Sequence, residues 1–215
     1  MLQLEGVRKS FKKNGLTREV LCGVDATFLP GDAVGILGRN GAGKSTLIRI
    51  LAGVEHPTSG RVRREMSISW PMGYDAAVHG TLSGADNTRF IARIYDRPTG
   101  WMEGFVQEFS EIGEEFWQPV KTYSAGMKAR LIFALSMAVD FDCYLIDEII
   151  AAGDARFAER CRQSLLARRS RSALILVSHQ IDTVRSLCSH AAILQEGRLT
   201  FHEDLDQAFA EYQQL

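Results

Sequence analysis

The chain has 215 residues, 46% of them hydrophobic, and 25 Lys and Arg against 26 Asp and Glu give a formal net charge of −1. That is apolar material for one well-buried core, or a core with a smaller appended domain, and the near-neutral balance excludes a global field drawing the chain to nucleic acid or acidic lipid. The four cysteines, Cys22, Cys143, Cys161 and Cys188, lack CxxC spacing, three of them sit inside apolar runs, and they read as the reduced thiols of a cytosolic protein.

The N-terminal MLQLEGVRKSF lacks the apolar centre of a signal peptide, and no uncharged apolar run approaches the roughly 18 residues a spanning helix needs. A soluble, cytosolic chain is expected, with any membrane role supplied through a partner. Strand-like runs at 2–7 and 20–28 come first, with Asn14-Gly15 and Pro30-Gly31 as turn signals that suit an antiparallel flank at a sheet edge. The basic cluster Arg8, Lys9, Lys12 and Lys13 lies among these strands. Like Arg61, Arg63 and Arg64, and Arg168, Arg169 and Arg171, it is short, lies beside acidic residues and reads as a solvated face.

A buried strand at 32–37 then leads into GRNGAGKST at 38–46, and helical spacing of Leu47, Ile48, Ile50 and Leu51 predicts a helix over 44–52. Two glycines five apart, then lysine and a hydroxyl residue, match the phosphate-binding loop GxxxxGK[ST]. Glycines let backbone N–H groups converge on a polyphosphate, and the helix N-terminus adds its positive end. Gly38, Arg39, Asn40, Gly41, Ala42, Gly43, Lys44, Ser45 and Thr46 are thus the candidate nucleotide-binding residues. Lys44 is expected to reach the β- and γ-phosphates, and Ser45 to offer its hydroxyl to Mg²⁺.

After a strand expected at 66–70, helical patterns at 84–95 and 101–113 stand without a convincing strand until Lys121. Met102, Phe105, Val106, Phe109 and Ile112 share one helix face, a structural seam. The region reads as an α-helical insertion, about 71–121, in a core of 1–70 and 122–215, all within one domain. The segment Tyr123-Ser124-Ala125-Gly126-Met127-Lys128 precedes a helix over 126–139. Ser124 is a good N-cap, and small neighbours leave backbone amides open to an anion. Since one nucleotide already has its loop, this second phosphate-binding helix start is expected to serve a nucleotide held by another copy.

The strand 141–147 closes on Asp147 and Glu148. Asp147, at a strand end beside the loop, is placed to hold Mg²⁺ through water, and Glu148 to polarise a water for in-line attack. A helix over 154–168 and a strand over 173–178 follow, and His179 at that strand's tip could position the attacking water. Patterns at 181–188, 191–195 and 203–213 complete the chain, while His56, His79, His190 and His202 receive no role. The alternation predicts an α/β fold: a P-loop NTPase core with a mainly parallel sheet, an antiparallel β flank and the α-helical insertion.

In this order the pieces resemble the nucleotide-binding subunit of ATP-binding cassette (ABC) transporters over essentially the whole chain. The resemblance matches Gly38–Thr46 to the phosphate loop, Tyr123–Lys128 to the signature usually written LSGGQ, and Asp147 and Glu148 to the magnesium and general-base carboxylates. It matches Asp154 to the D-loop aspartate and His179 to the switch histidine. Phe11 falls where the family stacks an aromatic ring on adenine, or it is a packing residue near the sheet edge. The stretches SISWPMGY, LSGADNTRFIARIYD, KTYSAGMKARL and IDEIIAAGDARF are similar to the ATPase of capsular polysaccharide exporters of Gram-negative bacteria. O-antigen, teichoic acid and lipid exporters are the nearest alternatives; a soluble ABC ATPase or a small-molecule P-loop kinase lies further off.

What the resemblance implies is an ATPase using ATP and Mg²⁺. It works as a homodimer in which Ser124, Ala125, Gly126, Met127 and Asp154 act across the interface. An integral membrane permease subunit would hold it on the cytoplasmic face of the inner membrane, without nucleic acid and without direct contact to the polysaccharide. Two departures stand out. The signature reads YSAGM, with Ala125 for Gly and Met127 for Gln. Where most members have a coupling glutamine the chain has Trp70-Pro71-Met72-Gly73, and no glutamine occurs between Glu65 and Leu82.

Overall fold

The structure, a computed structural model, describes residues 1–13, 15–72, 77–147 and 155–215. The strands among them are β1 (Leu2–Lys13), β2 (Leu16–Phe28), β3 (Ala33–Leu37), β4 (Ser59–Arg64), β5 (Cys143–Asp147), β6 (Ala173–Ser178), β7 (His190–Gln195) and β8 (Arg198–His202). The helices are α1 (Lys44–Leu51), α2 (Gly84–Ile94), α3 (Thr99–Ser110), α4 (Ala125–Ala138), α5 (Ala155–Arg168), α6 (Ile181–Leu187) and α7 (Leu205–Gln213). The chain gathers into two compact units. One comprises the described residues of Met1–Pro71, Phe141–Glu148 and Leu165–Leu215, the other those of Met72–Asp140 and Ile149–Ser164.

The first unit holds two sheets. One is a five-stranded sheet in the order β5-β6-β3-β7-β8, parallel except for its last strand. Two of its inner strands read AVGIL and ALILVS and are buried at every position, as strands covered on both faces must be. The other is an antiparallel sheet in the order β2-β1-β4. The flank expected at the edge of the parallel sheet is therefore a sheet of its own. Leu2, Leu4, Val7, Leu21 and Phe28 from it join Ile36, Leu47, Ile48, Leu145, Ile175 and Leu194 in one buried core. Asn14 of the expected first turn lies outside the described residues, but β1 and β2 pair up to Lys13 and Leu16.

Three readings of the sequence need correcting here. The strand expected at 66–70 is a single bridge, Ile68 to Cys143. Side chains occupy the neighbouring ladder positions: the Ser67 N–H donates to Asp142 Oδ2 at 2.8 Å, and the Leu145 N–H to Ser69 Oγ at 2.9 Å. A strand that the sequence reading missed is β4, SGRVRR, which pairs with β1 on the side away from β2 and whose only half-buried residue is Val62. The reading also missed β8. It closes a hairpin with β7 through Glu196 and Gly197, both at positive φ (48° and 74°), the backbone of a type I′ turn.

The second unit is helical. The seam expected along 101–113 is present on α3 and just past its end: Met102, Val106, Phe109 and Ile112 are buried. Phe105 stacks between Trp101 and Phe109, and Phe109 on Phe133 of α4, with centroids 5.4, 5.5 and 5.9 Å apart. Phe157 of α5 meets Phe109 edge to face at 6.1 Å, so α4 and the start of α5 pack on α3 and the unit runs past residue 121. Asn87 of α2, 3% exposed, ties the preceding loop to the helix. Its Oδ1 accepts from the His79 N–H at 2.7 Å, and its Nδ2 donates to the carbonyls of Ser83 (2.8 Å) and His79 (3.1 Å). The same loop pairs with the segment before α4, since the Lys121 and Val120 N–H groups donate to the Gly80 and Leu82 carbonyls.

Candidate functional site

In the five-stranded sheet three adjacent parallel strands deliver their C-terminal ends together. Asp147 ends β5 opposite Val177, and Leu37 ends β3 opposite Ser178, the last residue of β6. The loop 38–43 springs from β3, and His179 follows β6 by one residue. A cleft of about 450 Å³ opens there, lined by Phe11, Arg18, Val20, Asn40, Gly41, Gly43, Lys44, Ser45, Thr46 and Asp147.

The loop is built to present backbone. Gly43, at φ 107°, is the N-cap of α1; a Cβ there would sit 3.0 Å from the Val20 carbonyl oxygen, and one at Gly38 2.7 Å from that of Leu194. No side chain caps α1, and no acidic residue stands in its first turn. An α-helix leaves its first N–H groups without intrahelical partners, and with the helix dipole they form an anion site. Lys44 is buried with its ammonium on the loop's own carbonyls, donating to Gly38 at 2.6 Å and Arg39 at 3.2 Å. Burial lowers its pKa, and the charge of Asp147 opposes that shift. Burial raises the Asp147 pKa, with Arg49 and Lys44 pulling the other way.

These residues fit a nucleotide polyphosphate and its magnesium ion. The converging amides and Lys44 suit phosphate oxygens. A hydroxyl, Ser45, and a carboxylate, Asp147, both line the cleft, which suits a hard cation that keeps most of its water and its phosphate ligands. Among the described residues no group of three or more His, Cys, Asp or Glu could hold a metal by itself.

The expected site residues do not all meet at this cleft. Phe11, Asn40, Gly41, Gly43, Lys44, Ser45, Thr46 and Asp147 line the cleft. Gly38 contributes a carbonyl to Lys44, while Arg39 and Ala42 border an adjoining cleft of about 620 Å³. There the Arg39 guanidinium donates to the Leu215 carbonyl at 2.5 Å. His179 is exposed and does not line the phosphate-loop cleft. Glu148 and Asp154 lie outside the described residues, as does Gly73 of the Trp70–Gly73 segment. Trp70 itself meets Phe141 edge to face at 5.5 Å, and Pro71 and Met72 are buried.

In the second unit the segment Tyr123–Met127 opens α4. Ser124 is its N-cap, and its Oγ accepts from the Met127 N–H at 3.2 Å, a contact worth about 1 kcal/mol. Ser124 and Ala125 are exposed, with no acidic residue in the first turn. Tyr123 tucks its hydroxyl against Gly84 at the start of α2, where a Cβ would lie 2.5 Å from it. Burial raises the Tyr123 pKa.

Arg18 and Val20 are cleft residues that sequence reasoning missed. Arg18 pairs with Phe11 across the β1–β2 hairpin, so the signal was the hairpin register. Ending the first strand at residue 7 concealed it.

The sequence profile of the family described as "ABC transporter" matches residues 21–151. The ATP-binding protein BexA of Haemophilus influenzae is 49% identical over 212 residues, covering 99% of this chain and 98% of that protein. The capsule polysaccharide export ATP-binding protein CtrD of Neisseria meningitidis serogroup B is 48% identical over 215 residues, covering 100% of each. The fold also matches a solved structure of the ATP-binding cassette MJ0796, described as a dimer in a post-hydrolysis state bound to ADP and Pi. The TM-score is 0.82 at 20% identity, over 94% of this chain and 98% of that one.

Proposed function

The chain belongs to the ABC transporter family of ATP-binding proteins, and from that premise we propose that it binds and hydrolyses ATP to power export of a capsular polysaccharide. The observation that carries the reading is the cleft in which an uncapped, glycine-built helix start, Lys44, Ser45 and Asp147 converge. The substrate class rests on likeness to CtrD, whose name gives capsule polysaccharide export.

ATP lies with its base against Phe11 and its phosphates along residues 38–46. Lys44 leaves the Gly38 and Arg39 carbonyls for the β- and γ-phosphate oxygens, and loop amides take up the remaining charge. Ser45 directly and Asp147 through water would hold Mg²⁺, which neutralises charge developing between the phosphates. Glu148 orients and deprotonates the attacking water, and His179 helps to place it.

Two copies pair symmetrically, each completing the other's site with Ser124, Ala125, Gly126, Met127 and the D-loop residue Asp154. That accounts for two anion-binding helix starts in one chain. Among the described residues no helix is long and apolar enough to cross a membrane. The assembly acts at the cytoplasmic face of the inner membrane through a separate permease subunit, and the polysaccharide is not contacted directly.

The test is dimerisation. A Glu148→Gln protein, slowed in turnover, should become dimeric on adding ATP in size-exclusion light scattering. Adding Ser124→Arg should abolish that dimer while nucleotide affinity per monomer stays within about twofold, because the arginine stands in the unit without the phosphate loop. Equal loss of affinity and dimerisation would confine Ser124 to a role inside its own subunit.

A further inference from the structure

The platform on which the base is proposed to lie has a charged support. Lys9 and Phe11 stand two residues apart on β1, with a register shift against β2 between Lys9 and Ser10. Such a bulge re-aims the side chains that follow, and the Lys9 ammonium comes to lie 4.9 Å from the centroid of the Phe11 ring. The ammonium is tethered from below: it donates to the Glu55 carboxylate and, at 2.8 Å, to the His56 carbonyl. The Lys9 side chain is only 12% exposed, whereas Phe11 is 42% exposed. One face of the ring is thus occupied by a fixed cation, and the ring keeps exposed surface toward the cleft that it lines.

The tether reaches the phosphate end of the site. Glu55 and His56 lie in the turn after α1, and the Val54 and Glu55 N–H groups donate to the Arg49 carbonyl in its last turn. The strap continues on β1, where the Thr58 N–H donates to the Arg8 carbonyl at 2.8 Å and the Ser10 N–H to Thr58 Oγ1 at 3.0 Å. The helix whose N-terminus meets the phosphates therefore carries, at its other end, the groups that hold Lys9 under the ring.

We propose that Lys9 is a positioning residue for nucleotide: its ammonium clamps the inner face of Phe11 and holds the ring ready to stack on a purine base. An exposed phenylalanine loses rotamer freedom when a base lands on it. A ring already held by a cation–π contact has lost that freedom beforehand, so more of the stacking energy appears as affinity. Stacking tolerates any base, so the clamp raises affinity for ATP and GTP alike. It does nothing for a ligand without a base. The proposal rests on the reading that Phe11 stacks on the base, and the test separates the two.

Calorimetry in EDTA would measure ATP, GTP and inorganic tripolyphosphate on wild type, Lys9→Met, Lys9→Arg, Phe11→Ala and the Lys9→Met/Phe11→Ala double variant. Lys9→Met is expected to weaken ATP and GTP about threefold to tenfold, with Lys9→Arg restoring most of the loss and tripolyphosphate unchanged. In the Phe11→Ala background Lys9→Met should add nothing. An equal loss for tripolyphosphate, or an undiminished loss without Phe11, would overturn the clamp and make Lys9 a structural tie to Glu55. If Phe11→Ala leaves ATP affinity intact, the stacking reading falls and the clamp with it; if Phe11→Ala weakens ATP and Lys9→Met does not, the clamp alone falls. Should Lys9→Met fold poorly, Lys9→Gln keeps donors for Glu55 and His56 without the charge, and the same outcomes decide.

Discussion

Lys44 and Asp147 are opposite charges drawn partly out of water at one cleft, and burial moves each pKa toward neutrality of its own group. For Asp147 the folded pKa lies above its ordinary value, so the stability it contributes is present below the usual carboxylate range and lost as pH rises through the raised pKa. At neutral pH its charge is therefore a liability to the nucleotide-free fold. Asp147→Asn should raise the Tm of the nucleotide-free protein, and the gain over wild type should grow from about pH 4 to pH 7. The same substitution should weaken Mg²⁺-dependent nucleotide binding roughly ten- to a hundredfold, the scale for groups that act on a metal through its water. Thermal melts across pH check the first outcome and a magnesium titration the second; a pH-independent Tm difference would mean that the carboxylate is fully solvated. Lys44, Ser45 and Asp147 were legible in the sequence because a loop or a strand end carries its chemistry in consecutive residues. Lys9, Arg18 and Val20 were not: Arg18 and Val20 reach the cleft, and Lys9 the ring that lines it, through the register of a hairpin and a bulge, and neither leaves a composition signal.

At the scale of the elements, the loop before α2 and the segment before α4 lean on one side chain. Asn87 satisfies a backbone donor and two carbonyls of the loop His79–Ser83, and that loop carries the strand-like pairing to Val120 and Lys121 just ahead of Ser124. Asn87→Ala leaves the His79 N–H without its acceptor, while the His79 and Ser83 carbonyls keep the Leu82 and Asn87 N–H groups, and should cost about 1 kcal/mol in urea denaturation. Asn87→Asp should cost a similar amount, because a carboxylate would face the carbonyls of His79 and Ser83. A cost below about 0.5 kcal/mol for Asn87→Ala would show that water replaces the amide. Helices were the most legible elements, since apolar spacing marks them and Ser83, Ser124 and Asp204 cap three of them with side-chain oxygens. Strands β4 and β8 were not legible. SGRVRR is a charged outer strand with one half-buried residue, and RLTFH is announced only by Glu196-Gly197, which lacks the usual Asn or Asp.

At the scale of the whole molecule, the reading of four reduced thiols acquires a gradient. Cys143, Cys161 and Cys188 are buried, and burial pushes each thiol up to about 12; Cys22 is half-buried. A thiol reagent at neutral pH should modify about one cysteine per native chain within minutes and all four in denaturant, because only thiolates react. Mass spectrometry should find that first label on Cys22, and fast labelling of Cys161 would mean that α5 opens in the native state. The parallel sheet was foreseen from its apolar runs, but its strand order was not, because nothing local in AVGIL tells that its neighbours are β6 and β7.

That order has a consequence for biosynthesis. Strand β3, buried at every position and the root of the phosphate loop, finds both of its partners far downstream, beginning at Ala173. Roughly 140 residues must be polymerised between Leu37 and that first partner, which at 5–20 residues per second is on the order of ten seconds. Throughout that interval the nascent chain carries an apolar strand with two open edges. The nucleotide cleft is among the last features to be assembled, so ATP cannot act as a template for the early stages of folding.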